Sequence, residues 1–151
     1  MVETRRSVER GKGPPPAHGP AKPSLGWEAT VTTNYAELHQ HLERRLTQLG
    51  RELPGPMSGF ARLHKKAVGD GALSGKAKEL MAVAISIAVH CEGCVAYHVH
   101  AALAGGATRP ELLETLGVAI LMGGGPASVY AAHALDAMDQ FLPDAGADAE
   151  E

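Results

Sequence analysis

The apolar residues of this 151-residue chain recur every three or four positions, and glycine or proline interrupts them at short intervals. This spacing is typical of amphipathic helices, and no segment shows the period of two that half-buried strands require. The segments between the interruptions predict six helices, give or take one, at about residues 34–52, 58–69, 76–90, 92–104, 108–122 and a last one ending near 142. We therefore expect an all-α helical bundle.

Two of these helices begin with a capping signature. Asn34 and Glu37 can form a capping box at the first, and Thr108 and Glu111 can form one at the fifth, where Pro110 suits the first turn. The helix at 76–90 is apolar on almost every side after its acidic residue, which predicts a central, buried helix. The glycines before Pro126 fit a tight turn and close helix contact better than a phosphate-binding loop.

The composition divides the chain into three parts. Residues 1–33 read as a flexible arm, because residues 11–26 contain five prolines and four glycines. An arm that packs on a neighbouring subunit, with Trp27 as its anchor, is the alternative. Residues 34–142 form the predicted helical domain, and residues 143–151 form an acidic tail with four acids and no base.

Charge and hydropathy exclude several classes of protein. The formal net charge is −3, and no segment has the basic density of a nucleic-acid-binding surface. No uninterrupted apolar run reaches the roughly 18 residues that a membrane span needs. The first residues contain charges with no apolar stretch after them, so no secretion signal is visible and we expect a cytoplasmic protein.

The two cysteines, Cys91 and Cys94, lie three residues apart. A disulfide between them closes almost no loop and would stabilise the fold little, so the spacing indicates redox chemistry or metal binding. Both lie on one helical face with His98, at the start of a helix whose N–H groups and dipole favour a thiolate. His98 is placed to accept and return a thiol proton.

Glu79 is the acid that interrupts the apolar helix at 76–90. A carboxylate in a core carries a desolvation cost unless it is hydrogen-bonded or serves a purpose. It precedes Cys91 by twelve residues and can reach the cysteine pair only if its helix packs beside the one that follows. We predict that contact.

The run Glu79-x(11)-Cys91-x-x-Cys94-x(3)-His98, followed by the pattern GG-x-T-x-x-E-L at 105–112, resembles the alkylhydroperoxidase AhpD-like branch of the carboxymuconolactone decarboxylase superfamily. The resemblance implies an all-α fold that assembles into homotrimers or homohexamers. It also implies reduction of organic hydroperoxides, with electrons from a lipoylated protein or another dithiol. By position, Cys94 would attack the peroxide, Cys91 would resolve the intermediate, and Glu79 and His98 would relay protons.

The motif departs from the family at one position. Gly93 stands where the best-known members have a relay histidine, whereas His100 matches a position that is also histidine in them. The cysteine pair argues against a lactone-decarboxylating role, because decarboxylase branches generally lack it.

Other histidines have simpler interpretations. We interpret His39, His41 and His64 as solvent-facing. We interpret His133 and Tyr130 as packing residues of the last helix, and the alternative is that they line a pocket. We expect no bound cofactor and no metal, although Cys91, Cys94, His98 and either His90 or His100 would make four zinc ligands.

The first functional hypothesis is therefore a dithiol peroxidase with catalytic residues Glu79, Cys91, Cys94 and His98. A dithiol–disulfide oxidoreductase or redox sensor is the second. A non-catalytic oligomeric scaffold that makes little use of its cysteines is the third.

Overall fold

The computed structural model describes residues 33–142 and contains five helices, with no strand in that range. They are α1 Tyr35–Glu52, α2 Pro54–Val68, α3 Gly75–Ala88, α4 Glu92–Ala104 and α5 Arg109–Phe141. The predicted all-α fold is confirmed. Apart from Thr33, the predicted arm at 1–33 and the acidic tail at 143–151 lie outside the described residues.

The first two helices are separated by one residue, Leu53. The prediction that the second helix starts at residue 58 is wrong, because Pro54 occupies the first helical position. A proline there loses no helical hydrogen bond, and its fixed φ suits the helix. Asn34 caps α1, with its side chain accepting a 3.0 Å hydrogen bond from the Glu37 N–H, which is one half of the predicted capping box.

Three residues, Val89, His90 and Cys91, join α3 to α4. His90 has a φ of 58°, a left-handed conformation that is rare outside glycine. It allows the Cys91 N–H to reach the Ser86 carbonyl at 3.0 Å and the His90 N–H to reach the Ile87 carbonyl at 3.2 Å. These two bonds are those of a Schellman motif, which closes the end of α3. As a result, α4 starts directly beside the end of α3.

The core lies where α3, α4 and α5 pack against one another, with α1 against α4 and α5. Many of its residues are small, so the helices approach closely. The largest fully buried side chains are Tyr35, Ile87, Leu112, Met138, Val83, Val95 and Val99. The α2 helix contacts α1 and α3 and buries no residue fully.

The expectation that α3 is buried on almost every side is wrong for the single chain. Its buried residues are Glu79, Val83, Ser86 and Ile87, which share one face. On another face Met81, Ile85 and Val89 are 49%, 61% and 64% exposed. The apolar character of α3 therefore exceeds what the core of one chain uses.

The predicted break between the last two helices is a kink within one helix. α5 continues through Gly124, whose φ of 68° and ψ of −155° are non-helical. A Cβ on Gly123 would lie 2.6 Å from the Ala127 Cβ and 3.8 Å from the Ala88 Cα. Glycine is required there because the kink brings Ala127 of the same helix against this position, whereas the contact with Ala88 is at an ordinary van der Waals distance.

The α5 helix is longer than the apolar runs that the sequence shows, and this bears on whether the chain contains a segment able to span a membrane. It contains an 18-residue window with a mean hydropathy of 1.4, of which 22% is buried, so by length and composition it is long enough to span a membrane. Buried residues nevertheless recur along it from Leu112 to Met138. One face of α5 thus packs on the core, and its other apolar residues are exposed.

Candidate functional site

The cysteine pair lies at the N-terminus of α4. Cys91 is the N-cap residue, and its sulfur accepts a 3.3 Å hydrogen bond from the Cys94 N–H. The two cysteines form a disulfide, with their Cα atoms 5.1 Å apart. A backbone N–H at a helix start stabilises negative charge on the sulfur that it contacts. The pair can therefore change oxidation state within one helical turn, with the Cys94 N–H directed at the Cys91 sulfur.

Glu79 reaches the next helix, as the sequence predicts. Its Oε2 lies 2.8 Å from Nδ1 of His98, which joins α3 to α4. Glu79 is only 8% exposed, and the side chain of His98 is 20% exposed. An ionised carboxylate accepts the Nδ1–H bond and so directs the other ring nitrogen, Nε2, away from itself. The pair is suited to hold His98 in one tautomer.

A groove of about 840 Å³ gives access to both sulfurs. One wall is apolar and comes from α1 and α2, with Leu42, Leu46, Met57, Phe60 and Ala61. The opposite wall comes from α4, with Cys91, Gly93, Cys94, Tyr97 and His98. Glu79 is not among the lining residues, so it lies behind His98 rather than in the groove. The groove can accept a substrate with an apolar body.

His64 also lines this groove, and its interpretation as solvent-facing is wrong. Its Nε2 is buried and has no hydrogen-bond partner. One ligand atom from each of His64, Glu79 and His98 lies within 4.8 Å of the others. The sequence does carry a signal, because Met57, Ala61, His64 and Val68 are spaced four, three and four residues apart on α2. That spacing places His64 on the inward face of the helix.

The ring of Tyr97 on α4 packs against the imidazole rings of His64 on α2 and His98 on α4. Its ring centroid lies 5.7 Å from that of His64 and 5.1 Å from that of His98, both edge to face. Burial, followed by the charges of Glu79 and Glu43, raises the pKa of Tyr97. Its hydroxyl therefore stays neutral throughout the physiological range.

Glu92, inside the Cys-x-x-Cys motif, ties the start of α4 to the segment before α1. Its Oε1 accepts hydrogen bonds from Thr33 Oγ1 at 2.9 Å and from the Tyr35 hydroxyl at 3.2 Å. Burial, together with the Glu92 charge, raises the pKa of Tyr35 well above its usual value. Glu92 thus has a structural role and does not face the groove.

The remaining histidines lie outside the groove. His39 is 6% exposed, which contradicts its solvent-facing interpretation, and its ring centroid lies 4.1 Å from that of His100. Burial, followed by the charge of His100, lowers the pKa of His39. His90 stacks on Tyr130 at 4.8 Å, and His133 Nδ1 lies 4.0 Å from Glu92 Oε1.

Comparison with known proteins identifies the family. The sequence model of the carboxymuconolactone decarboxylase family matches residues 54–137, which is more than half of the chain and includes α2 to α4, most of α5 and all four predicted site residues. The chain belongs to the carboxymuconolactone decarboxylase family. The resemblance to the AhpD-like superfamily is thereby confirmed.

Solved structures of this family share the fold. A carboxymuconolactone decarboxylase family protein from Legionella pneumophila is 43% identical and superposes with a TM-score of 0.69, over 71% of this chain and 96% of that one. A family protein from Thermotoga maritima, described as possibly involved in antioxidative response, has a TM-score of 0.62 over 72% of this chain and 89% of that one. At 24% identity it shows the fold alone.

Two sequence relatives are described as uncharacterised proteins. A protein of Cupriavidus necator is 39% identical over 109 residues, which cover 72% of this chain and 96% of the relative. An uncharacterised protein in the cox locus of Paracoccus denitrificans is 37% identical over 82 residues, or 54% of this chain and 74% of the relative. They establish kinship and assign no activity.

Within residues 33–142, one cluster of side chains can hold a divalent metal ion, and it consists of His64, Glu79 and His98. Two imidazoles and a carboxylate are ligands that zinc and iron accept. The alternative zinc set inferred from the sequence is not assembled, because the cysteines are joined in a disulfide and His90 and His100 stack on other rings.

Proposed function

We propose that this family member is a dithiol peroxidase that reduces organic hydroperoxides through Cys91 and Cys94. The observation that carries the proposal is one apolar groove with both sulfurs and His98 on its wall and Glu79 bonded behind His98. A redox pair, a proton-accepting imidazole and room for an alkyl group are what this reaction needs.

The first half of the reaction oxidises Cys94. Its thiol gives its proton to Nε2 of His98, which lies one helical turn away and is oriented through Nδ1 by Glu79. The thiolate attacks the terminal oxygen of the hydroperoxide, an S–O bond forms, and the O–O bond breaks. The alkoxide takes up a proton and leaves as the alcohol, and Cys94 becomes a sulfenic acid.

The second half of the reaction closes the disulfide. The Cys91 thiolate attacks the Cys94 sulfur, and the sulfenic oxygen takes the proton that His98 received from Cys94 and leaves as water. One hydroperoxide is thereby reduced to alcohol and water, and the dithiol is oxidised by two electrons. An external dithiol, such as a lipoyl group, then reduces the disulfide by thiol–disulfide exchange and becomes a disulfide itself.

The groove favours organic substrates over hydrogen peroxide. Leucine, methionine and phenylalanine side chains from α1 and α2 face the sulfurs across it. Burial of an alkyl or aryl group there adds binding free energy of about 25 cal/mol per Å² of apolar surface removed from water. We therefore expect cumene hydroperoxide to have a higher kcat/KM than hydrogen peroxide.

Single-cysteine variants test the proposal. With a small dithiol as reductant, the parent should consume cumene hydroperoxide continuously. Cys94→Ser should consume none. Cys91→Ser, assayed without reductant, should consume about one equivalent and stop as the sulfenic acid, because no resolving thiol remains. Consumption by Cys94→Ser at the parent rate would rule out the proposal.

A dithiol–disulfide oxidoreductase is the second candidate, and the accessible disulfide at a helix N-terminus favours it. It predicts rapid exchange of Cys91–Cys94 with a small disulfide and slow turnover of peroxide. Stopped-flow comparison of the two rates on the reduced protein distinguishes the candidates. The same assay addresses the scaffold hypothesis, which predicts neither reaction.

We further propose that the protein works as a homotrimer or homohexamer in the cytoplasm. The exposed apolar residues of α3, and Val118, Leu121 and Met122 at helical spacing on α5, support contacts between copies. A reducing compartment supports regeneration by a dithiol.

A further inference from the structure

Three side chains from three helices converge at one side of the groove. His64 of α2, Glu79 of α3 and His98 of α4 each bring one nitrogen or oxygen atom within 4.8 Å of the other two. Glu79 Oε2 and His98 Nδ1 lie 2.8 Å apart, and the ring centroids of His64 and His98 lie 6.1 Å apart. The three residues are far apart in the sequence, so the tertiary fold alone brings them together.

The Nε2 atom of His64 has no use in the fold described so far. It is buried and has no hydrogen-bond partner, whereas most buried polar atoms in proteins are satisfied by one. An imidazole nitrogen is the commonest metal ligand that proteins offer. This nitrogen is therefore a ligand atom without an assigned partner, and it lies beside a carboxylate and a second imidazole.

The surroundings of the cluster favour a cation. Glu79 is buried, and among the described residues its one ion-pair partner is His98, which is charged only when protonated. The described residues that line the groove include no lysine and no arginine. Buried charges in proteins are paired with opposite charges or coordinate metals. A divalent ion would thus meet a negative site with no fixed positive charge to oppose it.

We infer that His64, Glu79 and His98 bind one zinc ion, with one ligand atom each and a fourth position open to the groove. Imidazole and carboxylate ligands suit zinc, whereas magnesium and calcium prefer oxygen alone. Tetrahedral zinc with bonds of about 2.0–2.1 Å places its ligand atoms roughly 3.3 Å apart. The Glu79–His98 separation is already close to that distance, so rotation of the His64 side chain completes the set.

The zinc site goes beyond the proposed peroxidase function and does not depend on it. His64 and His98 both line the groove, so the fourth position is available to water or to a ligand in the groove. An imidazole that holds zinc is not free to take a thiol proton. The zinc-bound protein and the peroxide-reducing protein are therefore two separate states of the same chain.

The α2 helix is the element that zinc would hold in place. It buries no residue fully and packs on α1 and α3. A zinc ion bound to His64 ties α2 to Glu79 on α3 and to His98 on α4, and so fixes one wall of the groove. Because zinc binds the folded arrangement only, it should oppose local opening of α2.

The binding experiment uses the full-length, untagged, metal-free protein with the Cys91–Cys94 disulfide closed, so that no thiolate competes for zinc. Competition with a chromophoric chelator should show one tight zinc site per chain. His64→Gln and Glu79→Gln should each weaken it about 10²-fold or more, because loss of a residue that only supports a ligand already costs 10–100-fold. His41→Gln, an exposed histidine on α1, is the matched control and should bind zinc as the parent does.

Two further measurements identify the ligands and control for misfolding. X-ray absorption at the zinc edge should show nitrogen and oxygen neighbours at about 2.0–2.1 Å and no sulfur at about 2.3 Å. In hydrogen exchange, zinc should slow the α2 amides of the parent about tenfold and leave those of His64→Gln unchanged. The two metal-free proteins should exchange alike, which shows that the substitution removes a ligand and not the fold.

The outcomes separate the zinc site from the peroxidase. Zinc binding by His64→Gln with parental affinity, or a sulfur neighbour of the zinc, would overturn the site. A parent that binds no zinc would also overturn it, and the peroxidase would stand because its steps use no metal. A protein that binds zinc through His64 but consumes no peroxide would overturn the peroxidase and keep the site.

Discussion

Glu79 is the residue whose chemistry depends most on its surroundings. It is 8% exposed on a helix that is otherwise apolar, and its one observed side-chain partner is His98 on α4. A carboxylate in that position is stabilised by the hydrogen bond and fixes which nitrogen of His98 faces the groove. The pair thereby makes a histidine into a directed proton acceptor.

Substitution of Glu79 tests this pairing at the residue scale. Glu79→Gln keeps an oxygen that accepts the Nδ1–H bond but removes the negative charge beside the ring that takes the thiol proton. We expect kcat/KM for an organic hydroperoxide to fall about 10²-fold, with little change in the midpoint of thermal unfolding. Steady-state kinetics and a melting curve measure both quantities.

Glu43→Gln is the matched control, because Glu43 is a 59%-exposed acid 3.9 Å from another histidine, His39. It should leave kcat/KM unchanged. Equal activity of parent and Glu79→Gln would contradict the role given to Glu79.

At the scale of elements, the site depends on how the helices start and end. The left-handed His90 ends α3 and lets Cys91 begin α4, so the two cysteines occupy a helix N-terminus rather than its middle. The start of α5 is fixed by side-chain contacts. Thr108 and Glu111 form the capping box, and Glu111 also pairs with Lys76 of α3 at 2.7 Å.

The α5 cap predicts a pH dependence of stability. The Glu111 carboxylate accepts hydrogen bonds from Lys76 and Thr108. These bonds, of which the one from Lys76 has the largest effect, lower the pKa of Glu111 from 4.5 to about 2. A carboxyl group whose pKa is lower in the folded state than in the unfolded state stabilises the fold at pH values above its unfolded pKa. This contribution is lost as the pH falls through the pKa of the folded state. Parent protein should therefore be more stable than Glu111→Gln at neutral pH, with the difference declining between pH 4.5 and about 2.

Urea unfolding of both proteins at several pH values measures this difference. Glutamine can still complete a capping box, so the comparison isolates the charge. Glu114→Gln, an exposed acid on the same helix, should show no such pH-dependent difference. A constant gap between parent and Glu111→Gln across this pH range would contradict the prediction.

For the whole molecule, α1 packs against α4 and α2 packs against α1 and α3, and the groove lies among them. The core leaves apolar faces of α3 and α5 exposed. Ile85 is 61% exposed and Leu121 is 79% exposed. Apolar faces of this kind on a folded domain mark contact with other molecules. The proposed homotrimer or homohexamer would bury them between copies of this chain.

The assembly can be tested by sedimentation velocity. The parent should sediment as a trimer or hexamer, and Ile85→Glu should dissociate it, because a charge in an apolar interface is desolvated without a partner. Leu63→Glu on α2, 64% exposed in the single chain, is the control and should assemble as the parent does. A monomeric parent, or an Ile85→Glu variant of parental size, would contradict the proposed assembly.

The helices and their caps, and the common face of Cys91, Cys94 and His98, follow from the sequence alone. Their causes are local: 3.6-residue periodicity, capping hydrogen bonds and the dipole of one helix. Proline and glycine were less decisive, since Pro54 starts α2 and Gly124 only kinks α5. Both residues are compatible with a helix at particular positions, and a sequence pattern does not specify those positions.

Tertiary structure decided which side chains meet across helices. The sequence predicts that Glu79 reaches the cysteine pair on the condition that α3 packs beside α4, whereas the structure joins Glu79 to His98. The sequence interpretation places His64 in solvent rather than beside the groove. The exposed faces of α3 were likewise read as core. Apolar residues give the same sequence pattern whether their side chains face the core of their own chain or another copy of it. A histidine likewise occupies the same place in the sequence pattern whether its side chain faces water or a groove. Only packing between distant segments distinguishes these cases.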